Sequence, residues 1–208
     1  MKKITFLISA LFLIVFFSCS TDKIANEETN QDPNFRVSEA IVKNAKGNIS
    51  SLRTSLDEPC ITTNLIAGQN YIAGTVTVDT DGENLIITYT TNEDWTIGAT
   101  HMSIGNCEDQ EIPTTGSGNP KVGKFEHSTT HSDGINQVIY LISLSIVNAD
   151  GGYCFAAHAE VTGPTGGETA WAEGISFDGK SWAMYVEANV SDCLVDGDDG
   201  GEGEGDGR

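Results

Sequence analysis

The chain has 208 residues, and its 30 acidic and 11 basic side chains give a formal net charge of −19. Hydrophobic residues make up 38% and charged residues 20%, a balance that excludes a multi-span membrane protein and a wholly disordered chain. An isoelectric point near 4.3 argues against nucleic acid as a partner, because phosphate backbones are bound by cationic surfaces, and the length suits one domain.

Lys2 and Lys3 precede an apolar run from Ile4 to Phe17. That run is too short to span a bilayer as a helix, which takes roughly 20 residues, but it has the length of a signal-peptide core. Ser18–Cys19 follows at once. This junction resembles the lipobox of bacterial lipoproteins, with Phe16 and Phe17 bulkier than the residues usual there. The resemblance implies that residues 1–18 are a cleaved signal peptide and that Cys19 becomes an acylated N-terminus. Buried acyl chains then hold the protein at the membrane, each CH₂ adding about 0.8 kcal/mol. Asp22 close behind resembles a retention signal of some outer-membrane lipoproteins, which implies a lipid-anchored place in the cell envelope, on the outer membrane, with exposure at the cell surface. A plain secretory peptide is the alternative.

Residues 19–58, the lipidated Cys and the polar stretch behind it, read as a flexible tether with an r.m.s. reach of roughly 35 Å. Inside it Val37, Ala40, Ile41, Asn44 and Ala45 fall at helical spacing, compatible with a short amphipathic helix that would be marginal alone.

From residue 59 to 193 the texture changes to Thr, Val, Ile, Tyr and Gly in alternation. Strands are expected at 71–79, 84–91, 96–104, 121–127, 136–147, 153–162, 168–173 and 181–190. Turn signals separate them, Asp81–Gly82 and Asp178–Gly179 among them. Such spacing predicts an all-β domain, a single antiparallel β-sandwich of immunoglobulin-like or jelly-roll type, with a closed barrel as the alternative. Residues 108–120 read as one long loop. Residues 194–208 are Gly and acid, a composition that predicts a disordered tail. Asp196, Asp198 and Asp199 suggest a calcium loop only superficially, since Gly200 stands where a ligand is needed and no Glu closes the loop. Between residues 57 and 191 there are 18 acids against Lys121, Lys124 and Lys180. That excess keeps the surface soluble, suits cations or a cationic partner, and repels anionic polymers.

Besides Cys19 there are Cys60, Cys107, Cys154 and Cys193, an even count that in an exported chain predicts two disulfides. Three pairings are possible. Cys60 and Cys193 bracket the domain, which favours Cys60–Cys193 with Cys107–Cys154. If Cys107 and Cys154 stand opposite each other on neighbouring strands, Ser103 faces His158 and His101 faces Glu160. Alternation then gathers His101, His158 and Glu160 on one sheet face, with Phe155, Ala157, Ala159 and Val161 on the core face. Gly105 is a place where a bulge would spoil that register. Two histidines and a carboxylate can bind a divalent metal ion or move protons. His127 and His131, four apart in a Ser/Thr-rich stretch, read as a surface loop.

Trp182 shares a strand face with Met184, Val186 and Ala188 and reads as core. Trp171 lies opposite Ala170 and Ala172, on the wetter face, and Trp95 begins a strand behind Asn92–Glu93–Asp94. Exposed rings there would stack on a sugar. The chain has no nucleophile elbow, phosphate loop, zincin motif or dinucleotide fingerprint, and no pair of carboxylates is singled out for glycoside hydrolysis. At Thr100–His101, at Ala156–Ala157–His158–Ala159–Glu160–Val161, at Glu168–Gly174 and at Trp182–Ala183–Met184–Tyr185, it resembles a group of uncharacterised extracellular bacterial domains, which implies an exported β-domain and no particular chemistry.

The expectation is therefore a non-catalytic binding domain on an envelope lipoprotein, anchored to the membrane by its lipid, with no cofactor. Its partner would be a glycan or an envelope protein, and Trp95 and Trp171 would be its ligand-binding residues. The alternatives are a metal-binding protein or metal-dependent enzyme using His101, His158 and Glu160, and a structural envelope subunit.

Overall fold

Runs in which Val, Ile and Tyr alternate with Thr make strands with one apolar face, because successive side chains point to opposite sides. The computed structural model describes residues 34–41, 59–107, 111–147 and 152–193. The expected signal peptide, Cys19, most of the expected tether and the acidic tail lie outside the described residues. Within them the strands are β1 (Phe35–Ala40), β2 (Ile61–Ala67), β3 (Tyr71–Thr80), β4 (Asn84–Thr91), β5 (Thr96–Asn106), β6 (His127–Thr130), β7 (Gln137–Ser143), β8 (Gly152–Gly163), β9 (Gly166–Ala172), β10 (Ile175–Ser176) and β11 (Met184–Asn189). The domain is all-β and antiparallel, as expected.

The strands form one continuous sheet in the order β1–β7–β4–β3–β2–β9–β8–β5–β6, with β11 and β10 branching from β8. That sheet curls over, so that its two halves act as the layers of the sandwich. Leu85, Ile87 and Tyr89 of β4 and Val138, Tyr140 and Ile142 of β7 point inward, all fully buried. They join Tyr153, Phe155, Ala157, Ala159 and Val161 of β8 in one core. Each fully buried large side chain is worth about 1.5–3 kcal/mol, so this core dominates the stability. The β2–β3 hairpin turns through Gly68 and Gln69, both at positive φ, with Asn70 completing a three-residue loop between the paired Ala67 and Tyr71.

Both predicted disulfides are present, each with Cα atoms 4.9 Å apart. Cys60–Cys193 ties the residue before β2 to the turn after β11. Cys107–Cys154 ties the end of β5 to β8.

Three expectations are corrected. Residues 35–40, placed in the tether with a helical spacing, form β1, paired with β7 from Phe35↔Ile142 to Ala40↔Gln137. A waiting sheet edge satisfies the backbone of this short segment better than an isolated helix does. Residues 121–127 are no strand: Val122–Lys124 is a 3-10 turn, and the strand begins at His127. His127 and His131 are not in a surface loop. His127 stacks on Phe35 with ring centroids 3.5 Å apart, and His131 is buried.

These histidines lie at a seam. β1 and β6 end the sheet, and side chains join them. Glu39 Oε1 lies 2.7 Å from His131 Nδ1, and His131 Nε2 lies 2.6 Å from Thr100 Oγ1. The Thr100 hydroxyl in turn meets the Tyr140 hydroxyl. With hydrogen on His131 Nδ1, that nitrogen donates to Glu39, Thr100 donates to His131 Nε2, and Tyr140 donates to Thr100, which satisfies every buried member of the chain. The arrangement copies the order carboxylate–imidazole–hydroxyl of hydrolase triads, but Thr100 is fully buried, so no substrate reaches it. Its role is to close the sheet. Replacing His131 by Ala removes the acceptor of the buried Thr100 hydroxyl and the partner of Glu39 at once. We expect His131→Ala to lower the unfolding free energy in urea by about 2–4 kcal/mol, and a loss below about 1 kcal/mol would show that the seam is held by something else.

Candidate ligand-binding cleft

β8 is flanked on one edge by β5 and on the other by β11 near its start and β9 near its end. Cys154 sits near that start, level with Gly105 of β5 and Glu187 of β11. Paired residues share a sheet face, so Cys154 and Glu187 both point outward, with Cys107 two residues along from Gly105. Gly105 leaves room for Glu111 to fold back over the strand. A Cβ at 105 would lie 2.4 Å from Glu111 Oε2, and this oxygen accepts a hydrogen bond from Asn106 N at 2.8 Å. The segment beyond Glu111 is clasped to the loop after β10. Ser181 N donates to Asn119 Oδ1 at 2.9 Å, and Gly179 N donates to Gly118 O.

Between these walls lies a cleft of about 320 Å³. Cys107 and Cys154 line it, together with Glu111, Asp178, Glu187 and the aromatic pair Phe177–Tyr185, whose ring centroids are 5.1 Å apart. Among the described residues no Lys, Arg or His lines it. Among the described residues the ion-pair contacts within 4.0 Å are His131–Glu39 and His101–Glu160, so none of the three cleft carboxylates is offset in this way. Desolvation, with Glu187 and Asp178 nearby, raises the pKa of the Tyr185 hydroxyl above the usual phenol value, and Tyr185 stays a neutral donor. Chemically, three acceptor carboxylates over two aromatic faces suit a positively charged organic group, held by charge-assisted hydrogen bonds and by the ring quadrupoles.

The histidine patch is built differently from its expectation. The β5–β8 register pairs His101 with His158 and Ser103 with Ala156, two residues away from the pairing in which Cys107 opposes Cys154. The irregularity falls between Ile97 and Ala99, not at Gly105. Because the shift is even, His101, His158 and Glu160 still share the outer face. His101 Nε2 is 4.0 Å from Glu160 Oε1, its Nδ1 is 2.9 Å from Ser128 Oγ, and the two imidazoles are 5.4 Å apart. The three donors do not converge on one ion. Among the described residues, the trio of His, Cys, Asp or Glu with donor atoms within 4.8 Å of one another is Cys107, Cys154 and Glu187.

Trp171 is not on a wet face. A second small core of Ile112, Phe125, Ala156, Trp171, Phe177 and Ala183 covers the outside of β8 and β9, leaving Trp171 5% exposed. Trp95, at 6%, belongs to the main core. Neither ring is free to stack on a sugar. Trp182 is half-buried and packs against the second core rather than the first.

Glu111, Asp178, Tyr185 and Glu187 were not singled out by the sequence. The available signal was the alternation of β11: if Val186 and Ala188 face the core, Tyr185 and Glu187 face out. Comparison with protein-family models, curated proteins and solved structures finds no match for the chain.

His158 yields a pH prediction. Its ring lies 4.7 Å from Trp171. Burial, assisted by the charge of a protonated His101, pushes its pKa from 6.5 down to about 4. The folded chain therefore refuses a proton that the unfolded chain accepts. The stability from this site is full above pH 6.5, is lost progressively as the pH falls toward 4, and changes no further below that. The loss is about 3 kcal/mol at most. Comparing urea unfolding at several pH values in the native chain and in His158→Gln, we expect the slope over this window to flatten in the variant; an unchanged slope would assign the acid sensitivity to other groups.

Proposed function

We propose that this chain is a cell-envelope lipoprotein, acylated at Cys19 and anchored by that lipid in the outer membrane, which displays a non-catalytic binding domain. Its cleft takes a positively charged organic group, an ammonium or guanidinium presented by a protein or amino-sugar partner of the envelope. The cleft carries this reading: it combines an aromatic pair with three carboxylates, with no basic side chain among the described residues of its lining. The domain's acidic surplus supports it by drawing cations inward. Two disulfides support an oxidising compartment outside the cytoplasm, in keeping with Ser18–Cys19 at the end of the apolar run. The burial of Trp95 and Trp171 moves the ligand away from these rings, and the unconverged donors of His101, His158 and Glu160 leave the metal-enzyme alternative without a centre.

Two measurements test the proposal. Intact-mass analysis of the protein from membranes should give a chain that starts at a lipid-modified Cys19; a chain that keeps Met1 overturns the anchoring.

Titration of the oxidised protein with N-acetyl-lysine methylamide, followed by NMR, should shift Tyr185 and Phe177, while the norleucine analogue should not. Asp178→Asn and Glu187→Gln should each weaken binding about tenfold, the loss expected for one charge-assisted hydrogen bond. Equal binding of the neutral analogue, or unaltered affinity in both variants, overturns the cationic reading.

A further inference from the structure

The two disulfides stand in different surroundings. Cys193 belongs to the main core, and its bond closes a sequence separation of 133 residues around the domain. Each bond joins a half-buried cysteine, Cys60 or Cys107, to a buried one, Cys193 or Cys154, but Cys107 and Cys154 line the cleft. Thiol–disulfide exchange requires a thiolate to reach a sulfur, so a reductant entering the cleft meets Cys107–Cys154 and not Cys60–Cys193.

Opening that bond changes the cleft's chemistry. Cys107 Sγ, Cys154 Sγ and a carboxylate oxygen of Glu187 already lie within 4.8 Å of one another. In a tetrahedral zinc site with metal–sulfur bonds of about 2.3 Å, two sulfurs stand about 3.8 Å apart. Small side-chain rotations thus convert the bonded pair into a chelating pair. The backbone need not move, because β5 and β8 stay joined along their length and β11 holds Glu187 level with Cys154. Glu111 lines the same cleft outside that group of three, which leaves a fourth position for water. Two thiolates and a carboxylate form a set that prefers zinc and other thiophilic cations to magnesium or calcium.

We propose that the Cys107–Cys154 disulfide masks a thiolate–carboxylate metal site, which a dithiol reductant uncovers and a thiophilic divalent cation such as Zn²⁺ then fills. The reductant gives two electrons and two protons and leaves as its own disulfide, passing through a mixed disulfide with one of the two cysteines. The S–S bond breaks and two thiols form. The metal then displaces the two thiol protons into solvent and makes two metal–sulfur bonds, with no change in its own oxidation state. The site shares Glu187 and the cleft with the proposed recognition of an organic cation, but that recognition uses the oxidised cleft and needs no free thiol.

The test uses the full-length mature chain and Co²⁺ as a spectroscopic substitute for Zn²⁺. Brief treatment with dithiothreitol, alkylation and peptide mass analysis should find Cys107 and Cys154 modified while Cys60 and Cys193 remain joined. The reduced chain, freed of reductant without air, should bind one Co²⁺ with a thiolate-to-cobalt charge-transfer band that Zn²⁺ abolishes, and the oxidised chain should show no such band. The Cys107→Ser/Cys154→Ser variant should lose the band. Because that variant also loses a staple, Glu187→Gln is the deciding one: it keeps both sulfurs and should weaken Co²⁺ about tenfold or more. Opening of Cys60–Cys193 first, absence of the band once both cleft thiols are free, or native affinity in Glu187→Gln each overturns the proposal. Failure of lysine-analogue binding to the oxidised chain leaves these readouts untouched.

Discussion

Strand β8 is paired on both edges and buried on both faces, and the rest of the structure is arranged around that double burial. Its inward side chains, Tyr153, Phe155, Ala157 and Ala159, are fully buried in the main core. Its outward ones, Cys154, Ala156 and His158, are buried too, under the second core. A strand in this position has no solvent for its polar groups. That is why His158 is held neutral and why its Nδ1 and the Tyr153 hydroxyl, like the Ser103 hydroxyl on neighbouring β5, have no hydrogen-bond partner among the described residues. The arrangement costs stability at these three atoms and is outweighed by the apolar surface that Trp171, Phe125 and Phe177 remove from water. The cleft begins where the second core stops, beside Cys154.

Closing a curled sheet leaves a different problem, since its two end strands need partners. Here the solution is local to side chains: an aromatic stack at one end of the seam and a buried imidazole at the other. The chain Glu39–His131–Thr100–Tyr140 spans β1, the end of β6, β5 and β7. It draws into the domain residues 35–40, which composition alone had assigned to the tether.

Much of this was legible from residue order, and the failures have physical causes. Alternation placed β3, β4 and β8 within a residue or so, because each combines one strongly apolar face with Thr or Ala on the other. The disulfide pairing followed from Cys60 and Cys193 bracketing the domain. The histidine register did not, because cysteines joined across neighbouring strands need not be directly opposed; the same-face inference survived only because the error was even. β2 was missed because Ile66 points away from the core-facing Leu65 and Ala67, which blurs the contrast, and a bulge follows Leu65. β1 was missed because six residues carry too few apolar positions to separate a period of 2 from one of 3.6. Trp171 was assigned to the correct side of its strand, and the mistake lay in equating the outer side with water. Nothing local to Trp171 announces that Ile112, Phe125 and Phe177, far away in sequence, fold over it.

The acidic character of the domain gains a local meaning at the cleft. Carboxylates scattered over a surface repel one another weakly across water, and counter-ions screen them within roughly 8–10 Å. Carboxylates set round a concave, partly apolar space are screened less, because the walls displace both water and salt. Glu111, Asp178 and Glu187 are in that second situation, drawn from a loop, a turn and a strand that the fold brings together. Folding tolerates their mutual repulsion because other contacts hold each element: the Asn119 bonds hold the loops, and the ladder to β8 holds β11. A cation entering the cleft therefore relieves a repulsion already present in the free protein. On the proposed reading, binding is favoured by that relief as well as by new contacts, so that charge, more than shape, is the property on which this cleft would select.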